Sequence, residues 1–290
     1  MRVSVVTDSA ASLPTGATGR LGIVVAPMTL VLGGLVYADG QLDPDEVVAR
    51  SRRDPVNTSA PTPGAFLKAV AAATEHDDST GQVLVLTVSS SMSASYEVAR
   101  TAAIYVDDAE VRVVDTGTAA GGQGLVVLAA ARAASTGSSF DEVADRARHV
   151  AGDVRLIASL DNLDHLARSG RVPQAAAWAG RSLGVRAMFE FARGGVRPRR
   201  PARSERAALE RMVGAMSQSR PGRPGATLRA AVMQAEAAEP AARLRALVMD
   251  ATPDAELFEA PFSSVMIAHT GPGLVGLAWF WEAPDGAMVR

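Results

Sequence analysis

The sequence predicts an α/β fold made of two domains. The first observation behind this prediction is that β-branched runs such as QVLVLTV alternate with helical stretches from residue 2 to residue 135. Runs that are apolar throughout are typical of parallel strands buried on both faces, so we expect a parallel sheet covered by helices on each side. The second observation is a change of pattern after residue 153, where a hairpin and a β-α-β unit are predicted. The expected domains are therefore residues 1–153 and 154–290.

Each element of the first domain is predicted from its local pattern. The strands are short and rich in valine and leucine, and turn-forming or hydroxyl residues follow them. Residues 54–63, DPVNTSAPTP, contain three prolines and three hydroxyl residues and are predicted to form a loop. The predicted elements in chain order are the strands RVSVVT and GIVVAPMTLVL, the helix EVVARS, the helix 64–73, the strand QVLVLTV, the helix SMSASYEVARTAAIY, the strand VRVVDT and the helix LVVLAAARAAS.

The second domain begins with the strand RLIASL and the short helix LDHLARSG, which Gly170 should end. MFEFARGGVRPRR predicts two strands joined at Gly194–Gly195, and Ser204 is expected to cap the helix SERAALERMVGAM. The remaining elements in chain order are the strand ATLRAAVMQA, the helix AARLRALVMD, the strand AELFEA, the strand SSVMIAHT ending at His269, and the last strand LVGLAWFW.

Composition narrows the class of protein. The chain has 290 residues, 48% of them hydrophobic and 21% charged, as expected of a folded protein with a sizeable core. A net charge of −2 gives no overall field for nucleic acid or anionic membranes. The absence of cysteine excludes disulfides and thiol catalysis, and it fits a cytoplasmic protein. Residues 21–38 are uncharged and just long enough to span a membrane, but their glycines and proline favour strands and a turn, so no integral membrane segment is expected.

Hydroxyl and acidic residues follow three predicted strands of the first domain, as TDS at residues 7–9, SSS at 89–91 and DTGT at 115–118. In an open parallel sheet, the ligand crevice lies outside the carboxyl ends of the strands. Ser90 and Ser91 are also predicted at a helix start, where backbone N–H groups favour a carboxylate or phosphate. One serine capping the helix while the others are solvated explains the cluster equally well.

Other chemistries are less well supported. A phosphate-binding P-loop is excluded because the single lysine, Lys68, lies in FLKAV, and the glycines of GGQGLVV do not complete a dinucleotide fingerprint. A serine hydrolase using Ser90, His269 and Asp8 is the alternative function, although no G-x-S-x-G motif is present. The four histidines lack metal-ligand spacing, so no metal is expected.

The segment 193–206, RGGVRPRRPARSER, holds six arginines. A solvated hairpin explains it, and docking to an acidic partner or to phosphate is the functional interpretation. A DNA-binding regulator is a further possibility that the segment raises, but no helix-turn-helix or aromatic platform accompanies it, so no nucleic-acid partner is expected.

Six stretches in order resemble the DegV family, the fatty-acid-binding proteins also called FakB. VTDSAASLP opens the chain, and NTSAPTPGAF resembles the family pattern T-S-x-P-[ST]-P-G-x-F. TVSSSMSASY resembles S-S-x-L-S-G-T-Y, and VVDTGTAAGGQG resembles V-x-D-[ST]-x-x-x-S-x-G. LDHLARSGRV and IAHTGPGLVGLAW resemble L-x-x-L-x-x-G-G-R-I and the terminal H-x-G-P-G.

This resemblance implies a two-domain DegV-like fold, with an N-terminal parallel-sheet α/β domain and a C-terminal mixed-sheet α/β domain that contributes the lipid pocket and the HTGPG motif. It implies one bound long-chain fatty acid, such as palmitate or oleate, whose carboxylate is held by Thr58 and Ser90, with Ser89 beside them and His269 and Arg171 near the head group. It also implies a non-catalytic subunit without a cofactor, whose fatty acid a separate kinase converts to an acyl phosphate for phospholipid synthesis.

The sequence departs from the family pattern at three positions. Ala94 and Ser95 replace the usual Gly-Thr, and Ser169 replaces the first glycine of the G-G-R pattern. We expect these changes to affect loop geometry or chain-length preference more than carboxylate binding.

Overall fold

The computed structural model describes residues 2–283 except 52, 76–78, 173–184, 193–194 and 223. The strands are β1 (Arg2–Asp8), β2 (Ile23–Ala26), β3 (Thr29–Leu32), β4 (Leu35–Ala38), β5 (Val56–Ser59), β6 (Ser79–Thr87), β7 (Glu110–Asp115), β8 (Arg155–Leu160), β9 (Arg186–Ala192), β10 (Gly195–Ala202), β11 (Thr227–Ala235), β12 (Glu256–Pro261) and β13 (Leu274–Glu282). The helices are α1 (Ala17–Leu21), α2 (Pro44–Ser51), α3 (Pro63–Thr74), α4 (Ser95–Ala103), α5 (Ala120–Ser135), α6 (Phe140–Asp153), α7 (Asp164–Ser169), α8 (Glu205–Gln218), α9 (Ala238–Ala251) and α10 (Ser264–Thr270).

A four-stranded parallel sheet, in the order β2-β1-β6-β7, forms the frame of the first half. Helices α3 and α4 pack on one face and α5 and α6 on the other. The position of β6 in the middle of this sheet explains why its sequence is an uninterrupted apolar run. Val83 and Val85 belong to the core under α3, whereas Leu84 and Leu86 belong to the core on the α5 side. Because both faces are covered, consecutive residues are buried and no alternation appears.

A six-stranded mixed sheet, in the order β10-β9-β8-β13-β11-β12, forms the frame of the second half. Only β11 and β12 pair in parallel; the other pairs are antiparallel. Leu228 and Val232 of β11 face the core under α8 and α9, and Met233 faces the core that contains α5. The predicted α/β class, with a parallel sheet followed by a mixed one, is therefore confirmed.

Helix α5 lies between the two large sheets and contacts β1, β11 and β13. Its residues from Ala120 to Ala131 are all buried, so its alanine-rich sequence reflects close packing. A Cβ at Gly121 would lie 2.8 Å from the Cβ of Ala231, and one at Gly124 would lie 2.5 Å from the carbonyl oxygen of Ala11. One core cluster consequently contains residues from both halves, and the division at residue 153 stays a prediction.

A small antiparallel sheet, β4-β3-β5, accounts for residues 29–38 and 56–59. The uncharged stretch 21–38 thus forms three short strands, and no helix among the described residues is long and apolar enough to span a bilayer. Residues 56–59 lie in the segment predicted as a loop, but they form a strand because they pair with β3. In this pairing Thr58 lies opposite Leu30. The prolines of that segment lie outside the strand.

Two further predictions about elements were wrong. SSVMIAHT is the helix α10, not a strand: the Ser263 side chain accepts from the backbone N–H of Met266 and caps it, and Gly271 follows its end. A short apolar run cannot distinguish a strand from one buried helical face. Helix α4 begins at Ser95, so Ser90 and Ser91 lie in a turn before it. The predicted roles of Gly170 and Ser204 as helix stop and cap are confirmed.

Candidate functional site

The carboxyl ends of β1, β6 and β7 meet at one edge of the parallel sheet, and hydrogen bonds join the segments that follow them. Asp8 accepts from the backbone N–H of Val88 (2.9 Å), and Ser89 N–H donates to the carbonyl oxygen of Thr118 (2.8 Å). Asp115 accepts from the N–H of Ser90 (3.2 Å). Backbone groups and two carboxylates of these segments therefore fix the loops to one another.

A cavity of about 270 Å³ lies at this edge, covered by β5 and α10; we call it the Thr58 cavity. Most of its wall is apolar and comes from the loops after β1, β2 and β6 and from α10. Its polar groups are concentrated where β5, α10 and the segment after α7 meet. The lining residues are Ala10, Met28, Thr58, Ser59, Ala60, Val88, Met92, Ser93, Ala94, Ala119, Arg171, Val265, Met266 and His269.

Thr58 and His269 form the shortest polar contact in this wall, with 2.6 Å between Oγ1 of Thr58 and Nε2 of His269. Burial, followed by the positive charge of Arg171, lowers the pKa of His269 to about 4. The imidazole is therefore neutral at neutral pH and can donate from Nε2 to the Thr58 hydroxyl. In that arrangement the hydroxyl proton of Thr58 is free to donate to a ligand in the cavity.

Arg171 lies beside this pair and carries the positive charge of the cavity wall. Its backbone N–H donates to Oγ of Ser169 (3.3 Å), and its guanidinium donates to the Ser169 carbonyl oxygen (2.7 Å). These bonds hold Arg171 on the turn that Gly170 makes in the left-handed region, at φ 68°. The structure thus brings together Thr58, Arg171 and His269, three of the five residues named from the sequence, and their role as carboxylate ligands stays a prediction.

Ser89 and Ser90 do not line the Thr58 cavity. Ser89 is 1% exposed, and its hydroxyl lies 2.8 Å from that of Ser91. Ser90 is exposed to solvent at the outer side of the turn, where its N–H donates to Asp115. Their assignment as carboxylate ligands stays a prediction, and the geometry gives it no support.

Ser93 is the residue that sequence reasoning missed. It lines the Thr58 cavity, its hydroxyl lies 2.9 Å from that of Ser95, and it accepts from the backbone N–H of Ser95 (3.2 Å). The signal for it was present, because Ser93 matches the third serine of the pattern S-S-x-L-S-G-T-Y. Met92 and Ala94 on either side of it also line the cavity.

The departures from the family pattern are accommodated without strain. Ala94 has φ −73° and ψ 0°, which a residue with a Cβ adopts readily. Ser169 is the last residue of α7, and its hydroxyl donates to the carbonyl oxygen of Leu166 (2.8 Å). Only Gly170, in the left-handed region, requires glycine at this turn.

The predicted hydrolase triad is not assembled. Ser90 bonds with Asp115, His269 bonds with Thr58, and Asp8 accepts from Ala10, Val88 and Gln123. Within the described residues, no group of three or more histidine, aspartate or glutamate side chains could hold a metal ion. His76 lies outside the part of the chain that the structure describes.

Two other recesses of the described residues bear on ligand binding. One of about 400 Å³ shares Thr58, Arg171 and His269 with the Thr58 cavity and adds Arg53 and Arg168. A larger groove of about 640 Å³ runs between α5 and the edge of the mixed sheet. Its arginines pair with acidic side chains, for example Arg132 with Glu256 and Arg229 with Glu282.

The structure is that of an α/β protein in which two large β-sheets pack against one shared helix, α5. A largely apolar cavity with a few polar side chains lies at the edge of the parallel sheet. Residues 2–282 match the model of the DegV family, described as "Uncharacterised protein, DegV family". The chain belongs to the DegV family. A DegV domain-containing protein of Streptomyces coelicolor is 33% identical over 278 residues, which cover 95% of this chain and 97% of that protein.

Solved structures of the family share this fold. A DegV family protein of Thermus thermophilus, described as fatty acid binding, has a TM-score of 0.87 at 30% identity, covering 97% of this chain and 99% of that chain. DegV of Bacillus subtilis, described as a fatty acid binding protein, has a TM-score of 0.85 at 27% identity, covering 97% and 100%.

Proposed function

We propose that this chain binds one long-chain fatty acid, with the carboxylate held at the polar end of the Thr58 cavity. The observation that carries this proposal is the contact between Thr58 and His269 beside Arg171 in a cavity wall that is largely apolar, with the Ser93 hydroxyl lining the same cavity. An amphipathic ligand with one anionic end matches this arrangement. The fatty-acid-binding DegV proteins of Thermus thermophilus and Bacillus subtilis support the same ligand class.

The polar groups have complementary parts in holding the head group. An unpaired carboxylate in an apolar cavity is costly, and charge-assisted hydrogen bonds offset that cost. With Nε2 of His269 donating to Thr58, the Thr58 hydroxyl donates to the carboxylate. Ser93 supplies a second hydroxyl from the loop after β6, and Arg171 supplies the positive charge. Ser93 takes the place predicted for Ser89 and Ser90, because it is the serine of the loop after β6 that lines the cavity.

The hydrocarbon chain supplies most of the binding free energy in this proposal. Burying one methylene group is worth about 0.8 kcal/mol, so a tail of roughly fifteen contributes about 12 kcal/mol before the entropy of association is subtracted. Met28, Met92, Val265 and Met266 form apolar wall beside the polar end. Methionine side chains adapt to irregular ligands, which suits a flexible tail.

Mass spectrometry tests the binding proposal. The purified protein, denatured and extracted, should release about one equivalent of fatty acid, and delipidated protein should take up palmitate or oleate. Ser93→Ala should reduce retention, and the exposed Ser90→Ala serves as the matched control. Delipidated, folded protein that takes up no fatty acid would refute the proposal, and reaction of Ser90 with a fluorophosphonate would favour the hydrolase.

We further propose that the chain is a non-catalytic carrier that presents its fatty acid to a separate kinase. The sequence lacks a P-loop, which agrees with a phosphoryl donor that is bound by a partner. The recess with Arg53 and Arg168 adjoins the Thr58 cavity at Thr58, Arg171 and His269. Its arginines give a positively charged path by which a phosphoryl donor could reach the head group.

Fatty-acid-loaded protein incubated with ATP alone should form no acyl phosphate. Adding a bacterial fatty acid kinase should give a product that hydroxylamine traps, and failure to do so would contradict the carrier role.

A further inference from the structure

Asp8 lies at the end of β1, is 0% exposed, and joins two walls of the Thr58 cavity. Its Oδ1 accepts from the backbone N–H of Ala10 (3.1 Å) and from Nε2 of Gln123 (2.9 Å). Its Oδ2 accepts from the backbone N–H of Val88 (2.9 Å). Ala10 and Val88 both line the cavity, so the Asp8 carboxyl group fixes the position of its walls.

A chain of hydroxyl groups leads from Asp8 into the cavity. The Ser95 hydroxyl is among the groups that stabilise the Asp8 carboxylate, and it lies 2.9 Å from the hydroxyl of Ser93. Ser95 is 0% exposed, whereas Ser93 lines the cavity. The backbone N–H of Ser95 also donates to Oγ of Ser93 (3.2 Å), which occupies one of the two acceptor positions of that oxygen.

Counting protons along this chain gives two states. Each hydroxyl group has one proton to donate. When Asp8 is ionised it can only accept, so Ser95 donates to Asp8 and Ser93 donates to Ser95. Ser93 then has no proton for the ligand and offers only an acceptor position, which fits a protonated carboxyl group. When Asp8 is protonated, it donates to Ser95, Ser95 donates to Ser93, and Ser93 donates to a ligand carboxylate.

We propose that Asp8 is a positioning residue that shares one proton with the bound carboxyl group through the hydroxyls of Ser95 and Ser93. The inference rests on the proposed fatty-acid function. A free fatty acid carboxylate and ionised Asp8 carry one negative charge each, whereas the complex carries one in total. The second negative charge is neutralised by a proton taken from water, so binding of the fatty acid at neutral pH takes up one proton. Only O–H bonds form and break in this step.

The surroundings of Asp8 are consistent with this role. Burial raises the pKa of Asp8 to about 6, against the hydrogen bonds from Gln123, Val88, Ala10 and Ser95. Among the described residues, no charged side chain contributes to this shift. The cavity wall carries two such groups: His269 is the competing acceptor for the proton, and Arg171 contributes a positive charge.

Calorimetric titration of the delipidated full-length protein with laurate tests the proposal. Comparing buffers of different ionisation enthalpy gives the number of protons taken up. The wild type should take up about one proton at pH 7.5, and its Kd should rise about tenfold per pH unit between pH 7 and 9. Ser95→Ala should abolish both effects while leaving the three N–H bonds of Asp8 in place.

Three variants complete the test. Ser91→Ala removes a hydroxyl of the same loop that contacts Ser89, and it should keep the proton uptake of the wild type. Ser95→Thr restores a hydroxyl and should restore the uptake. If Ser95→Ala does not fold, Asp8→Asn should give a Kd independent of pH over the same range.

Two outcomes overturn the inference while leaving the fatty-acid function intact. One is laurate binding to the wild type without proton uptake. The other is full uptake in Ser95→Ala, which would assign the proton to His269. Failure of the wild type to bind any fatty acid would remove the proposed function together with this inference.

Discussion

Thr58 and His269 are 211 positions apart in the chain, yet their side chains are 2.6 Å apart. The contact exists because β5 and α10 both cover the edge of the parallel sheet. Neither residue is chemically unusual alone. In this contact the neutral imidazole of His269 orients the hydroxyl of Thr58. A threonine without a partner in an apolar wall would have no fixed hydroxyl direction.

The same scale gives a prediction for the serines of the loop after β6. Ser93→Ala should weaken oleate binding roughly ten- to a hundredfold, because a hydrogen bond to a charged group contributes about 1.5–3 kcal/mol. Ser90→Ala should leave binding unchanged, since Ser90 is exposed and its contact with Asp115 uses the backbone. Fluorescence displacement titrations of both variants measure this. Equal losses, or a loss only in Ser90→Ala, would show that the ligand carboxylate lies elsewhere.

The hydroxyl-rich character of the segment after β6 was predictable from sequence, but which of its serines lines the Thr58 cavity was not. The motif TVSSSMSASY places several hydroxyl groups after one strand, and that is enough to indicate a polar rim. Which of Ser89, Ser90 and Ser93 faces the cavity depends on a non-helical turn, because the helix begins only at Ser95. Such a turn has no repeating period from which side-chain direction could be read.

At the scale of elements, helix α5 separates the two large sheets and contacts strands of both. Gly124→Ala should destabilise the protein by roughly 1–3 kcal/mol, because the new Cβ would lie 2.5 Å from the backbone oxygen of Ala11. Gly214→Ala in α8 is the matched control, since nothing lies within 4 Å of its added Cβ. That variant should gain about 0.5–1 kcal/mol. Urea unfolding measures both, and a stabilised Gly124→Ala would show that α5 is not tightly held.

The type of each element was predicted correctly where both faces of a strand or a long helix are buried. The prediction failed where contacts with distant segments determine whether a residue run forms a strand or a helix. The parallel strands and the long helices were predicted because their patterns extend over many residues. The strand Val56–Ser59 was missed because it forms only by pairing with β3. Helix α10 was predicted as a strand because its apolar run is short, and its cap Ser263 precedes the run. Both errors lie at the cavity, where local preference yields to packing.

At the scale of the whole molecule, two buried groups make opposite contributions to stability as the pH changes. His269 has a pKa of about 4 in the folded protein and an ordinary value of 6.5, so the unfolded chain binds its proton first. Its contribution to stability therefore falls as the pH drops from 6.5 to 4. Asp8 has a folded pKa of about 6 against 3.8, so the folded protein binds its proton first and stability rises as the pH drops from 6 to 3.8.

Single variants should separate these two contributions. Relative to the wild type, His269→Asn should become progressively more stable as the pH falls from 6.5 to 4. Asp8→Asn should become progressively less stable relative to the wild type between pH 6 and 4. Urea unfolding at several pH values in this range measures the differences. Profiles that stay parallel to the wild type would show that neither group has a perturbed pKa.

The central claim is that the carboxylate of one fatty acid lies against Thr58, His269 and Ser93 with its tail inside the protein. A crystal structure of the delipidated chain reloaded with palmitate tests this most directly. The predicted result is a carboxylate oxygen within about 3.2 Å of Oγ1 of Thr58 and of Oγ of Ser93, with the tail shielded from solvent. Palmitate bound in the groove beside α5, with protein side chains filling the Thr58 cavity, would contradict the claim.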